Sequence, residues 1–117
     1  MKLIKSFGYA LQGIYVATRD QLNIKIHFLA VICVTVAGIY FHITSYEWCI
    51  VVICYGMVLT AELFNSAIET IVDLVSPDHH PLAGKAKDIA AGAVLISALA
   101  TAVVSLFIFL KYLLALL

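Results

Sequence analysis

The stretch AELFNSAIETIVD, residues 61–73, sets Glu62, Asn65, Glu69 and Asp73 into a segment that is otherwise mostly apolar. Their offsets of 3, 7 and 11 residues fall within roughly an 80° arc of a helix with 3.6 residues per turn. The spacing therefore predicts one helix carrying a single polar stripe. That helical pattern reaches back to about Tyr46 and forward to Val75, where Ser76-Pro77-Asp78 stops it, because proline disfavours a helical residue before it. A rod over 46–75 is about 40 Å long, more than the ~30 Å hydrocarbon core of a bilayer. Glu62, about 24 Å along it from Tyr46, falls near the edge of the hydrocarbon, with Glu69 and Asp73 in the headgroup zone. A carboxylate at membrane depth costs at least ~2.5 kcal/mol, so these acids must face protein, water or a cation.

The rest of the chain supports a membrane setting. Of its 117 residues 64% are hydrophobic, with mean hydropathy +1.08, against about 45–50% apolar residues in soluble domains. The length allows one domain, 1–117. Seven basic and seven acidic side chains leave no net charge to draw nucleic acid or an acidic protein, so a nucleic-acid role is excluded from the working classes. Residues 1–22 repeat apolar positions (Leu3, Ile4, Phe7, Leu11, Ile14, Tyr15) at helical spacing among Lys2, Lys5, Arg19 and Asp20, the pattern of an amphipathic surface helix. Residues 24–41 form a first span with Lys25 and His27 at one interface; His42 also reads as interfacial. Tyr46 and Trp48 mark the opposite interface, at the start of the second span, 46–75. After the polar turn Asp78-His79-His80-Pro81, a third helix starts between Leu82 and Ala86, giving a span of about 84–117 whose small residues suit close helix packing. No small-residue cleavage site follows the first apolar stretch, so all three spans are expected to be retained. Cys33, Cys49 and Cys54 lie in apolar runs without metal spacing and read as packing residues.

Lys2, Lys5, Arg19, Lys25, Lys85 and Lys87 lie on one side and the 42–45 break has no basic residue, which predicts a cytoplasmic N-terminus and 76–87 loop. The chemistry is then expected at the cytoplasmic interface. An antiparallel third helix returns Lys85, Lys87 and Asp88 past the acidic stripe. Carboxylates can hold Mg²⁺, lysine can neutralise phosphate oxygens, and a remaining carboxylate can take the proton of an attacking alcohol, which together are the parts of phosphoryl transfer. Plainer readings stand beside this one. Asp73 and Asp78 can form a solvated collar with Lys85 or Lys87, Asn65 can bond a neighbouring helix, and His79 and His80 can be a capping turn. A second functional class is a small proton or cation pathway with Glu62 as the loading site; the Lys87-Asp88 pair and the His-His-Pro turn argue against it. No GxxxxGK[ST] loop or glycine-rich kinase loop occurs.

AELFNSAIETIVD resembles the signature of the bacterial membrane diacylglycerol kinase family, which includes the undecaprenol kinases, and HHPLAGKAKDIAAGAVL resembles the loop and third helix that follow it. The similarity runs from FGYALQG to the third span. It implies an all-α membrane protein, a surface helix plus three transmembrane helices, assembled as a homotrimer with active sites shared between subunits in the bacterial plasma (inner) membrane. It further implies an ATP- and Mg²⁺-dependent lipid kinase acting on a lipid alcohol. By position, Glu62 would be the general base, Asn65 and Asp73 site-organising residues, and Glu69 a metal ligand. Lys87, Asp88, Asp78, His79 and His80 would contact ATP, joined by Lys2 and Tyr9 from the surface helix. One departure is plain. Where the family carries a metal-binding Glu ahead of its Asn-x-Arg-x-His segment, this chain has Gln21, followed by Asn23, Lys25 and His27. Either Asp20 substitutes, or Gln21 binds through its amide oxygen, or metal affinity is reduced. HPLA, AKDIAAGAVL and the Asn-x-Lys-x-His segment resemble the undecaprenol-kinase branch of the family more than the diacylglycerol branch, which implies undecaprenol as acceptor, with diacylglycerol the alternative.

Overall fold

Three interruptions divide residues 1–117 into four helices in the computed structural model: α1 Lys2–Asp20, α2 Leu22–Phe41, α3 Ser45–Val75 and α4 Pro81–Ala115. The first interruption is a single residue, Gln21, in extended conformation at φ −116° and ψ 118°. The second turns on His42, the one non-glycine residue with positive φ (54°), a left-handed conformation that costs about 1–2 kcal/mol. The turn is held by backbone bonds from His42 N to Ile39 O at 3.3 Å and from Ile43 N to Gly38 O at 3.2 Å. Thr44 then opens α3 through a capping box, its hydroxyl accepting from Glu47 N at 3.2 Å while its own N–H donates to Glu47 Oε1 at 2.9 Å. The third interruption is the Ser76–His80 turn. Helix α4 starts at Pro81, ahead of the Leu82–Ala86 window expected from sequence. Proline at the first helical position is already set for a helix, and His80 Nδ1 accepts from Leu82 N at 3.1 Å.

Helices α3 and α4 form the principal pair, α2 packs on α3, and α1 touches α2 and α3 with none of its own residues buried. On α3 the buried residues are Glu47, Val51, Cys54, Val58, Glu62, Asn65 and Ser66. Apart from Ser66 they recur in steps of three and four, so Glu62 and Asn65 occupy the same helix face that carries the apolar core. Toward the Thr44 end, Ile43, Val51 and Ile108 form that core, flanked by Phe41, Trp48, Phe109 and Tyr112. Gly38 lets Trp48 seat against α2, since a Cβ there would fall 2.7 Å from the indole ring.

Only 12 of the 117 residues are buried, and large apolar side chains on every helix stand exposed. Water does not tolerate so much apolar surface on a monomer, whereas lipid and neighbouring subunits do. Helices α2, α3 and α4 are each long and apolar enough to cross a membrane.

Candidate active site

The polar stripe of α3 is resolved into three groups, one after another along the helix. The first is centred on Glu62, whose residue surface is 2% exposed. Its Oε1 lies 3.2 Å from Nε2 of His27 on α2. At that separation the two side chains form an ion pair whenever the imidazole is protonated. His27, which the sequence reading sets at the interface, thus lies half-buried against the α3 stripe. A buried carboxylate is costly without a polar partner, and α2 brings this one to it.

One turn on, Asn65 Nδ2 reaches Glu69 Oε1 at 3.5 Å, a long and weak bond. The Asn65 Oδ1 and Ser66 Oγ atoms are buried without a hydrogen-bond partner. Leaving a buried acceptor or hydroxyl unpaired costs about 1–3 kcal/mol, so these two atoms mark a place where a further group is expected. The Glu69 carboxylate and the unpaired amide oxygen of Asn65, one turn apart on the stripe, are hard-oxygen donors of the kind that suit Mg²⁺. No three His, Cys, Asp or Glu side chains converge on a single point. Mg²⁺ commonly uses one or two protein carboxylates and takes its remaining ligands from water and phosphate.

The third group joins α3 to α4. Lys87 Nζ donates to Asp73 Oδ1 at 2.6 Å, with the Asp73 side chain 65% exposed. The two side chains line a shallow cleft of about 180 Å³ together with Asp78, His79 and His80. The collar reading thus holds for Asp73 with Lys87, and the capping reading holds for His80. Neither removes Lys87 from the cleft, since an exposed ion pair is weak and an anion can compete for the ammonium.

Tyr9, Asp20 and Gln21 line a groove of about 700 Å³ between α1 and α3, which Ser66 and Thr70 also face. Asp20 is engaged by Arg19, Nε to Oδ1 at 2.9 Å. That hydrogen bond holds the Asp20 carboxyl below the usual carboxylate range. Gln21 is half-buried, and Lys2, Lys85 and Asp88 are exposed outside the clefts just described. The sequence-predicted residues therefore fall into Glu62 alone with His27, Asn65 with Glu69, Asp73 with Lys87 and the 78–80 turn, and Tyr9 with Gln21. Lys2 and Asp88 join none of them.

Two features escaped sequence reasoning. The His27–Glu62 pair links two helices with no common periodicity, and its only trace was a polar residue inside an apolar span. Glu47 was passed over, although Thr44-x-x-Glu47 is a capping-box pattern.

Residues 8–109 match the sequence profile of the prokaryotic diacylglycerol kinases. The chain is 39% identical to the undecaprenol kinase of Bacillus subtilis over 93% of its own length and 89% of that protein. It is 38% identical to a diacylglycerol kinase of Synechocystis, over 87% of this chain and 59% of the relative. With a diacylglycerol kinase of Escherichia coli the identity is 30%, over 82% and 79% of the two chains. A polar site at one end of three membrane-length helices, and a profile match spanning most of the sequence, have one conclusion: the chain belongs to the prokaryotic diacylglycerol kinase family, a family of membrane lipid kinases.

Proposed function

We propose that the chain transfers the γ-phosphoryl group of ATP, with Mg²⁺, to the hydroxyl of a membrane lipid alcohol, undecaprenol in the first place and diacylglycerol as the alternative. The observation that carries this reading is Glu62, a carboxylate 2% exposed on the core face of α3, one turn from two unpaired buried polar atoms. An acid so placed is costly for a structural residue and suited to a base that meets a lipid hydroxyl at the edge of the hydrocarbon. The 39% identity to an undecaprenol kinase over most of both chains supports the choice of acceptor.

Glu62 takes the proton of the acceptor hydroxyl as the alcohol oxygen attacks the γ-phosphorus. Lys87, released from Asp73, holds phosphate oxygens in the cleft beside His79 and His80. Asn65 and Glu69, with Gln21 from the break between α1 and α2, would hold Mg²⁺, which when bound supplies charge neutralisation of the triphosphate. Tyr9 on the α1 groove offers a surface for the nucleotide. The exposed apolar faces support a homotrimer that shares its sites between subunits, and the distribution of basic residues supports a multi-pass protein of the bacterial plasma membrane with a cytoplasmic N-terminus and active site.

The test is transfer of labelled γ-phosphate from Mg·ATP to undecaprenol and, separately, to diacylglycerol by the purified protein in mixed micelles. Faster transfer to undecaprenol is the expected result. Faster transfer to diacylglycerol would reassign the acceptor, and transfer to neither would overturn the reading.

A further inference from the structure

A carboxylate has two oxygens on a rotatable stem, and a base must present one of them to its substrate in a fixed direction. On Glu62 the oxygens are not equivalent. Oε1 is 3.2 Å from His27 Nε2, and the two side chains are 3% and 20% exposed. His27 also lines a cavity of about 280 Å³ whose other walls include Val34, Val58 and Ala98. Such apolar surroundings strengthen a polar contact relative to one in water. Pairing with an ionised carboxylate, which only accepts, calls for a proton on Nε2, as in the imidazolium and in one neutral tautomer.

We infer that His27 is a positioning residue for phosphoryl transfer: its ring N–H holds Oε1 of Glu62, so that Oε2 is the oxygen that takes the proton of the lipid hydroxyl. This rests on the reading of Glu62 as the base. The hydroxyl O–H bond breaks and its proton passes to Oε2. The alcohol oxygen forms a bond to the γ-phosphorus, and the bond from that phosphorus to the β–γ bridging oxygen breaks, releasing ADP. The proton on Glu62 returns to water after the phosphorylated lipid leaves, and His27 neither gains nor loses one. Because His27 stands on α2 and Glu62 on α3, the bond also fixes the register of the two helices at the depth where the hydroxyl must arrive.

The experiment compares wild type, His27→Gln, His27→Met and Glu62→Gln in the labelled-phosphate assay with the better acceptor, alongside unfolding midpoints in the same detergent. Gln brings an amide N–H to about the reach of the imidazole Nε2, whereas Met fills the volume without a donor. His27→Met is expected to lower kcat by about 10- to 100-fold, the loss of one hydrogen bond to a charged group, with little change in acceptor KM or midpoint. His27→Gln is expected to recover most of that loss. Wild-type kcat in His27→Met, or equal impairment of both variants with a lowered midpoint, would overturn the positioning role. If Met unfolds the bundle, His27→Asn, whose shorter amide stops short of Oε1, must show the same low kcat in a folded protein, and wild-type kcat there overturns the role equally. Full activity in Glu62→Gln would instead defeat the base reading itself, whatever the His27 variants do.

Discussion

The buried face of α3 carries an acid at each end, and the two are treated in opposite ways. Glu47, near the Thr44 end and 9% exposed, is saturated. Thr44 N–H and Tyr112 O–H donate to Oε1 at 2.9 and 2.6 Å, and Lys111 Nζ lies 3.0 Å from Oε2. Those bonds tie the start of α3 to the end of α4 and leave the carboxylate nothing further to do. Glu62, deeper still, has His27 alone as an ion-pair partner, 3.2 Å away, and its neighbours Asn65 and Ser66 keep unpaired atoms. Burying an acid costs similarly at both ends. At one end that cost is offset by partners within the fold; at the other, the partners are left to come from substrate.

If this contrast is right, substitutions at the two ends separate activity from stability. The largest effect is expected for Glu62→Gln, which should reduce turnover by about 10²–10⁴-fold in a protein whose unfolding midpoint is unchanged or raised, since a neutral amide costs less to bury. Lys87→Met comes next, lowering kcat/KM for ATP by about 10²–10³-fold, the loss typical of removing one electrostatic stabiliser. Its midpoint should hardly move, because the Asp73 pair that it breaks is exposed. Titration of ATP at fixed Mg²⁺ checks this.

Glu47→Ala inverts the pattern. Loss of the cap and of the bonds from Tyr112 and Lys111 should lower stability by about 1–3 kcal/mol and leave the kcat of the folded fraction near that of wild type, as measured by denaturation in detergent and activity on the same sample. Gly38→Ala should act in the same direction, destabilising by about 1–3 kcal/mol as Trp48 is forced off α2. The smallest expected change is for Gln21→Glu, which adds a charged oxygen to the α1 groove. It should lower the Mg²⁺ concentration needed for half-maximal activity several-fold, read from a metal titration of transfer rate.

The Glu62 side of this contrast was legible in the sequence. The stripe Glu62, Asn65, Glu69, Asp73 follows from helical periodicity, which acts within one element, and the end of α3 follows from Pro77; the starts of α3 at the Thr44 cap and of α4 at Pro81 were not read from the sequence. The pairings were not legible. His27 with Glu62 and Glu47 with Tyr112 depend on how α2 and α4 lie against α3, and helix packing has no signature in local spacing. The 42–45 break was legible as a polar interruption, but not as a left-handed turn on His42, since only the backbone bonds to Gly38 and Ile39 require it. Acidic residues at similar depth also look alike in a sequence. What distinguishes Glu47 from Glu62 is the number of donors around each, which is a property of the assembled bundle.

The most direct test sets Glu62→Gln and Glu47→Ala side by side, measuring γ-phosphate transfer to undecaprenol and the unfolding midpoint on the same preparations. The account predicts that Glu62→Gln loses transfer and keeps its midpoint, while Glu47→Ala loses midpoint and keeps transfer per folded molecule. Transfer near wild type in Glu62→Gln would contradict it.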